Sequence, residues 1–207
     1  MRHPLDMDRW VRKAHYEFFS RFEEPFFGVT VQVDCTLAFD RAKASGHSFF
    51  LSYLHKALVA ANLVEAFRYR IIDGQVWVYD QVNASPTINR PDGTFGFGYM
   101  NYEEDFAVFE TNATIEMDRV RNSSGLEPAV SGENVIHFSS IPWISFTSLS
   151  HARSFAQKDS IPKISFGKMT ETNGIRSMPV SVHAHHGLMD GYQVGQFLEH
   201  FQGLMKG

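Results

Sequence analysis

The 207 residues are 43% hydrophobic and 20% charged, a globular balance that excludes a disordered or fibrous chain and leaves enough length for one domain with a sizeable core. A formal net charge of −4 lacks the basic excess that nucleic acid selects, and no apolar run approaches the roughly 18 residues needed to cross a bilayer. One cysteine, Cys35, excludes an intramolecular disulfide and a four-cysteine zinc site; with acids and an aromatic where a signal peptide needs an apolar core, the expected location is the cytoplasm.

In chain order, Val11, Ala14, Phe18 and Phe22 recur at helical spacing, which predicts a helix over Asp8 to Phe22 capped by Asp8. Val29, Val31, Val33 and Cys35 alternate with polar residues and predict a strand buried on one face. Ser48 is placed to cap a helix striped by Leu51, Leu54, Leu58 and Val59, ending near Asn62. Arg68 to Ile72 and Gln75 to Tyr79 flank Asp73-Gly74, the signature of a tight hairpin. Asn101 to Val120, with Phe106, Phe109, Ala113 and Val120, reads as a surface helix with one buried face.

The stretch from Asn122 to Asn134 holds Ser123-Ser124-Gly125, Pro128 and Ser131-Gly132 and is expected to be a loop. Strands follow at Val135 to Phe138, Trp143 to Thr147, Lys163 to Met169 and, after a turn at Asn173-Gly174, Met178 to His185. A helix from about Asp190 carries Val194, Phe197, Leu198 and Phe201 on one face. Early helices and late, adjacent strands imply an α+β fold, a mixed β-sheet with helices packed on one side as a two-layer sandwich. No Gly-x-Gly-x-x-Gly or Walker sequence is present, which argues against dinucleotide and nucleoside-triphosphate sites.

His183, His185, His186 and Asp190 fall within eight residues where a strand gives way to a helix. Alternation puts His183 and His185 on one face and His186 on the other, so the three cannot converge on one metal without a bend. His-Ala-His is a familiar ligand spacing, but Gly187 stands where a metallo-β-lactamase-like pattern needs aspartate, so no metal is expected. The bland alternative is that the histidines merely end a strand; Gly191 after Asp190 favours instead a sharp turn with the carboxylate aimed into the junction. Cys35 lies mid-strand and no Gly-x-Ser-x-Gly elbow occurs, so direct general-base chemistry by a neutral imidazole is simpler than a covalent mechanism.

The segment Pro-Val-Ser-Val-His-Ala-His-His-Gly-Leu-Met-Asp-Gly-Tyr from Pro179 resembles the His-His-x-x-x-Asp-Gly signature of the chloramphenicol acetyltransferase family. The shorter core His-x-x-x-Asp-Gly also occurs in dihydrolipoyl acyltransferases and peptide-synthetase condensation domains. Trp10 to Phe19, Ser139 to Ser148 and Ile164 to Lys168 extend the resemblance in the family's order over nearly the whole chain. A dihydrolipoyl acyltransferase would carry an upstream lipoyl domain, and the chain starts almost at its first predicted helix.

The resemblance implies a homotrimer with active sites between subunits, acetyl-CoA as cosubstrate and a small hydroxyl compound, chloramphenicol in the leading reading, as acceptor. It implies that His186 is the general base and that Ser139, in preference to Ser140, bonds the oxyanion. Asp190 is then paired with Arg12, with His137 nearby in place of an asparagine. Phe18, Phe19 and Phe26 fall at the acceptor pocket, and Trp143, Ser165 and Lys168 near the coenzyme. Ser165 replaces a threonine, Met169 a tyrosine, and Glu24, Phe26 and Gly28 an apolar set, so the acceptor pocket departs most from the family pattern.

Overall fold

The computed structural model describes residues 1–126, 132–153 and 159–207. The elements are β1 (Arg2–Pro4), α1 (Lys13–Phe19), β2 (Phe26–Asp34), α2 (Thr36–Ala44), α3 (Phe49–Leu63), β3 (Tyr69–Ile72), β4 (Gln75–Tyr79), β5 (Asn83–Asn89), β6 (Phe95–Phe97), α4 (Phe106–Arg121), β7 (Val135–Ile141), β8 (Lys163–Gly167), β9 (Thr170–Thr172), β10 (Ile175–His185) and α5 (Gly191–Lys206). The main sheet runs β2-β10-β8-β7-β5-β6, with β9 pairing β10; β5 to β7 and β7 to β8 are parallel and the other pairings antiparallel. A small sheet, β1-β4-β3, flanks it. The fold is therefore the expected α+β layer of helices on a mixed sheet.

Alternation decides which face the helices cover. Val180, Val182 and Ala184 of β10, Ile164 and Phe166 of β8, and Ile136 and Phe138 of β7 are all buried in the core. Phe166 meets Tyr53 of α3 at 4.7 Å and Phe201 of α5 at 6.0 Å between ring centroids. These helices are the expected ones. The Ser48 side chain accepts from the Leu51 amide at the head of α3, and Asp190 caps α5 with a complete capping box closed by Gln193. Both hairpin turns take the left-handed backbone that Asn, Asp and Gly tolerate: Asp73 and Gly74 at φ 51° and 78°, Asn173 and Gly174 at 52° and 78°.

Several expectations are corrected. The first helix starts at Lys13 and ends at Phe19; Asp8 does not cap it but pairs with Lys13 at 2.9 Å, and Arg12 occupies the cap position without a capping bond from its side chain. The first strand begins earlier, at Phe26, and Cys35 leaves it to open α2, a helix that its weakly apolar sequence did not announce. Trp143 to Thr147 form no strand. Pro142 lacks a ladder donor, the chain turns at Ile141, and Trp143 and Ile144 point outward at 65% and 57% exposure. In their place β5 fills the sheet despite Pro86, whose carbonyl accepts from Gly98 at 2.9 Å. The predicted loop at 122–134 falls partly at 127–131, outside the described residues.

Candidate active site

Beyond β10 the chain turns at once. The His186 amide donates to the Pro25 carbonyl at 2.8 Å, the Leu188 amide to the His185 carbonyl at 2.9 Å, and the Gly187 amide to Nδ1 of His185 at 3.1 Å. The turn lies at His186 to Leu188; Gly191 simply opens α5 and is not among the positive-φ residues, so the sharp bend does not depend on it. The two adjacent histidines separate as alternation requires. His185 lies beside Phe26, while His186 stacks on Phe19 with centroids 4.0 Å apart at 6° and leans on Phe27 at 4.6 Å.

Arg12 holds this turn from α1. Its Nη1 pairs with Asp190 Oδ2, and its Nη2 donates to the His186 carbonyl at 3.2 Å. Asp190 Oδ1 meanwhile accepts from the Tyr192 amide at 2.9 Å. One carboxylate thus caps α5, and one guanidinium ties that cap to the residue carrying the imidazole. Partial burial works against the charge of Asp190, but the Tyr192 amide and Arg12 outweigh it and hold the carboxyl below its ordinary value. Nδ1 of His186 is shut away without a partner among the described residues, which leaves Nε2 as the nitrogen that reaches the surface.

His185 is a different histidine. It is buried, its Nδ1 is already an acceptor, and burial, reinforced by Arg153, pushes its pKa down to about 4. It is neutral at pH 7 and committed to the fold. Cys35 is equally unsuited to chemistry: burial and then Asp34 push its thiol up to about 11.

The sheet face away from α3 and α5 is polar. Register aligns Ser139, Ser165, Ser181 and Thr30 in one row, and His137, Lys163, His183 and Gly28 in the next. Ser140 points the other way and shares a hydrogen bond with Tyr53 at 3.0 Å, whereas the Ser139 hydroxyl has no partner among the described residues. Ser165 is buried, with Oγ 3.4 Å from Nε2 of His151. Lys168 is exposed, and its amide donates to the Ile144 carbonyl at 2.8 Å, which draws the outward Trp143 segment alongside it.

Not every predicted neighbour is adjacent. The charged surroundings of His137 are Lys163, Asp159 and Arg70, and neither Arg12 nor Asp190 is among them; burial and Lys163 push its pKa to about 4. Within one chain the histidine at this position therefore lies on the polar sheet face, apart from the Arg12-Asp190 pair. Phe18 is 59% exposed and touches Phe19 and Phe22 but not the imidazole.

His186 and Ser139 do not meet within one chain. Ser139 lies two strands from Ser181, and His185, the last residue of β10, lies four residues further along, so at ordinary strand spacing and rise even the residue before His186 is on the order of 16 Å from Ser139 between Cα atoms.

Five residues around a cavity on the polar face were not singled out in sequence as acceptor contacts: Ser150, His151, Arg153, Lys163 and His183. Alternation through Lys163-Ile-Ser-Phe and Ser-Val-His-Ala could have placed Lys163 and His183 on this face. Nothing local could have folded His151 and Arg153 onto it.

A family model described as chloramphenicol acetyltransferase matches residues 2–202. The chain is 27% identical over 199 residues to a chloramphenicol acetyltransferase of Proteus mirabilis, covering 96% of this chain and 92% of that one, and 27% identical over 202 residues to chloramphenicol acetyltransferase 3 of Escherichia coli, covering 97% and 95%. A solved chloramphenicol acetyltransferase superposes with a TM-score of 0.91 at 32% identity over 100% of both chains. The core fold extends to a probable dihydrolipoamide acetyltransferase of Listeria monocytogenes at a TM-score of 0.67 and 14% identity, covering 99% of this chain and 93% of that one. With sequence, fold and the His-His-x-x-x-Asp-Gly turn in agreement, the chain belongs to the chloramphenicol acetyltransferase family and is an acetyl-CoA-dependent acyltransferase.

Proposed function

We propose that the protein, acting as one catalytic domain, transfers the acetyl group of acetyl-CoA to a hydroxyl of a small molecule, at a site completed between subunits of a homotrimer. Nε2 of His186 removes the hydroxyl proton, and the oxygen attacks the thioester carbonyl directly. The thiolate of coenzyme A leaves and takes up the proton from the imidazolium. Such base catalysis is worth about 10²- to 10⁴-fold in rate. Stacking on Phe19 and the Arg12 bond to the His186 carbonyl fix the ring before substrate arrives.

Ser139 is the donor for the oxyanion that develops on the acetyl carbonyl, contributed by the neighbouring subunit. The observation that carries the intersubunit reading is the separation: a Cα distance on the order of 16 Å at the end of β10 exceeds what an imidazole and a serine hydroxymethyl can span to donors ~3 Å from one reacting centre. An exposed Trp143 beside Lys168 suits the apolar arm and anionic end of the coenzyme, and Ser165 lies one strand from Ser139 in the same row. Among the described residues no cluster of three or more His, Cys, Asp or Glu is positioned to hold a metal, and the mechanism uses none.

Chloramphenicol is the acceptor carried by the names of the relatives, and its acetylation would confer resistance to the drug. The expected compartment is the cytoplasm; no helix among the described residues is long and apolar enough to cross a membrane. A second reading keeps the reaction and changes the acceptor. It is favoured by the charged lining of the cavity on the polar face. Protein, acetyl-CoA and chloramphenicol mixed with a thiol reagent should release coenzyme A; silence with chloramphenicol and release with another hydroxyl compound selects the second reading. Silence with every acceptor contradicts both.

A further inference from the structure

The cavity on the polar face has a volume of about 240 Å³ and is lined by Glu24, Phe26, His151, Arg153, Lys163 and His183, with Gly28 at its floor. Register places it between the Ser139 row and the turn that carries His186: Lys163 is two residues before Ser165, and Phe26 pairs with His185. The floor is shaped for the imidazole above it. A Cβ at Gly28 would lie 2.4 Å from Nε2 of His183, so glycine is what allows that ring to lie over β2.

The lining is charged but balanced. Arg153 pairs with Glu24, and Lys163 pairs with Asp159. Both cations also flank one ring: the guanidinium carbon of Arg153 lies 3.5 Å, and the Lys163 ammonium 4.7 Å, from the centroid of Phe26. The aromatic wall that sequence assigned to an acceptor is therefore already covered by cations. The imidazoles of His151 and His183 stand edge to face, 4.8 Å apart, and burial lowers the pKa of both, that of His151 to about 4. At pH 7 both are neutral; Nε2 of His151 shares a hydrogen bond with the Ser165 hydroxyl and Nδ1 of His183 one with the Ser181 hydroxyl, each at 3.4 Å, which leaves the other nitrogen of His151 for a ligand. Arg153 spends Nη1 on Glu24, while its Nε is buried without a partner among the described residues.

We propose that this cavity recognises the acceptor, and that it selects a neutral polyhydroxylated molecule, sugar-like or nucleoside-like, over an apolar aryl alcohol. Each hydroxyl of such a molecule both donates and accepts, which matches the remaining nitrogen of the neutral His151, the Glu24 carboxylate and an under-used Arg153 guanidinium side by side. The formal charges cancel pair by pair, so the cavity has no net field for a charged ligand. An aryl ring would have to desolvate two ion pairs without replacing their hydrogen bonds. The proposal rests on the acyl-transfer reading for its purpose, but not for its test.

The test is isothermal titration of the full chain, without acetyl-CoA, with methyl β-glucoside, uridine, gluconate and chloramphenicol. At least one of the two neutral polyols is expected to bind about tenfold or more tighter than chloramphenicol. Arg153→Met should then weaken that polyol by about tenfold or more while acetyl-CoA binding is retained. Tighter binding of chloramphenicol, tighter binding of gluconate, or no binding of either neutral polyol overturns the proposal, and these comparisons need no variant to fold. Coenzyme A release judges the transfer reading separately. Polyol binding without release from any acceptor would sink the transfer and leave the cavity assignment standing; release with chloramphenicol, with no binding of either polyol, would do the reverse.

Discussion

The two ends of the polar sheet path are built on opposite principles. At the β10 turn His186 is held from several sides: a stacked Phe19, Phe27 beside it, its own amide bonded to Pro25, and an Arg12 that spans the His186 carbonyl and the Asp190 cap. At the Ser139 row the side chains are small, polar and aligned by register, with an unpartnered hydroxyl among the described residues. One end positions a single nitrogen; the other presents a surface. The difference is one of kind: one end holds an imidazole in a single orientation, the other leaves a hydroxyl unpartnered among the described residues, and the proposed intersubunit site would join the two.

The largest expected effects break this pairing outright. His186→Ala should lower turnover by about 10²- to 10⁴-fold with melting temperature and coenzyme binding retained, because the ring is a base and not a core residue. A stopped-time assay for coenzyme A release, run beside calorimetric binding, checks it. Ser139→Ala should cost about 10²- to 10³-fold in kcat. Ser140→Ala should have a much smaller effect on kcat, since that hydroxyl faces Tyr53 on the core side.

Arg12→Ala sharpens the comparison at the rigid end. It leaves the half-buried Asp190 carboxylate without its partner and frees the His186 carbonyl, so both stability and kcat should fall; removing one member of a buried pair costs about 3–5 kcal/mol, an upper bound here because Asp190 is one-third exposed. Arg12→Lys should recover part of the stability but less of kcat, because an ammonium cannot span both oxygens as the fork does. Chemical denaturation and steady-state kinetics separate the two.

The smallest effect is a pH dependence. The folded pKa of His185 is about 4, below the ordinary 6.5, so between those values the unfolded chain binds the proton that the folded chain refuses. Stability from this group is present above about pH 6.5 and is lost as pH falls toward 4. For a ring this deeply buried the loss is on the order of 3 kcal/mol. Melting temperature should drop over that window, and His185→Gln should flatten the drop; an unchanged slope would assign the acid sensitivity to other groups.

Much of this was legible in sequence because it depends on local chemistry. Asp73-Gly74 and Asn173-Gly174 dictate their turns, Ser48 and Asp190 dictate helix starts, and alternation separates His185 from His186. What escaped depends on distant packing. Pro86 disguises β5, whose parallel partner β7 is remote in sequence, and Trp143-Ile144 imitate a strand while pointing outward. The surroundings of His137, among them Lys163 of β8 and Arg70 of β3, and the placement of Arg153 over Phe26 join residues distant in sequence, which no local pattern encodes. The candidate base stands in a short motif, whereas the cavity on the polar face is assembled only by the fold.

Subunit complementation tests the central claim most directly. His186→Ala and Ser139→Ala chains, each nearly inactive, are mixed in equal amounts, unfolded and refolded together. If each site takes His186 from one chain and Ser139 from its neighbour, random assembly leaves about a quarter of the sites with both residues intact, and about a quarter of wild-type activity should return. If both residues act within one chain, no mixed assembly contains an intact site, and activity that stays at the level of the separate variants would contradict the account.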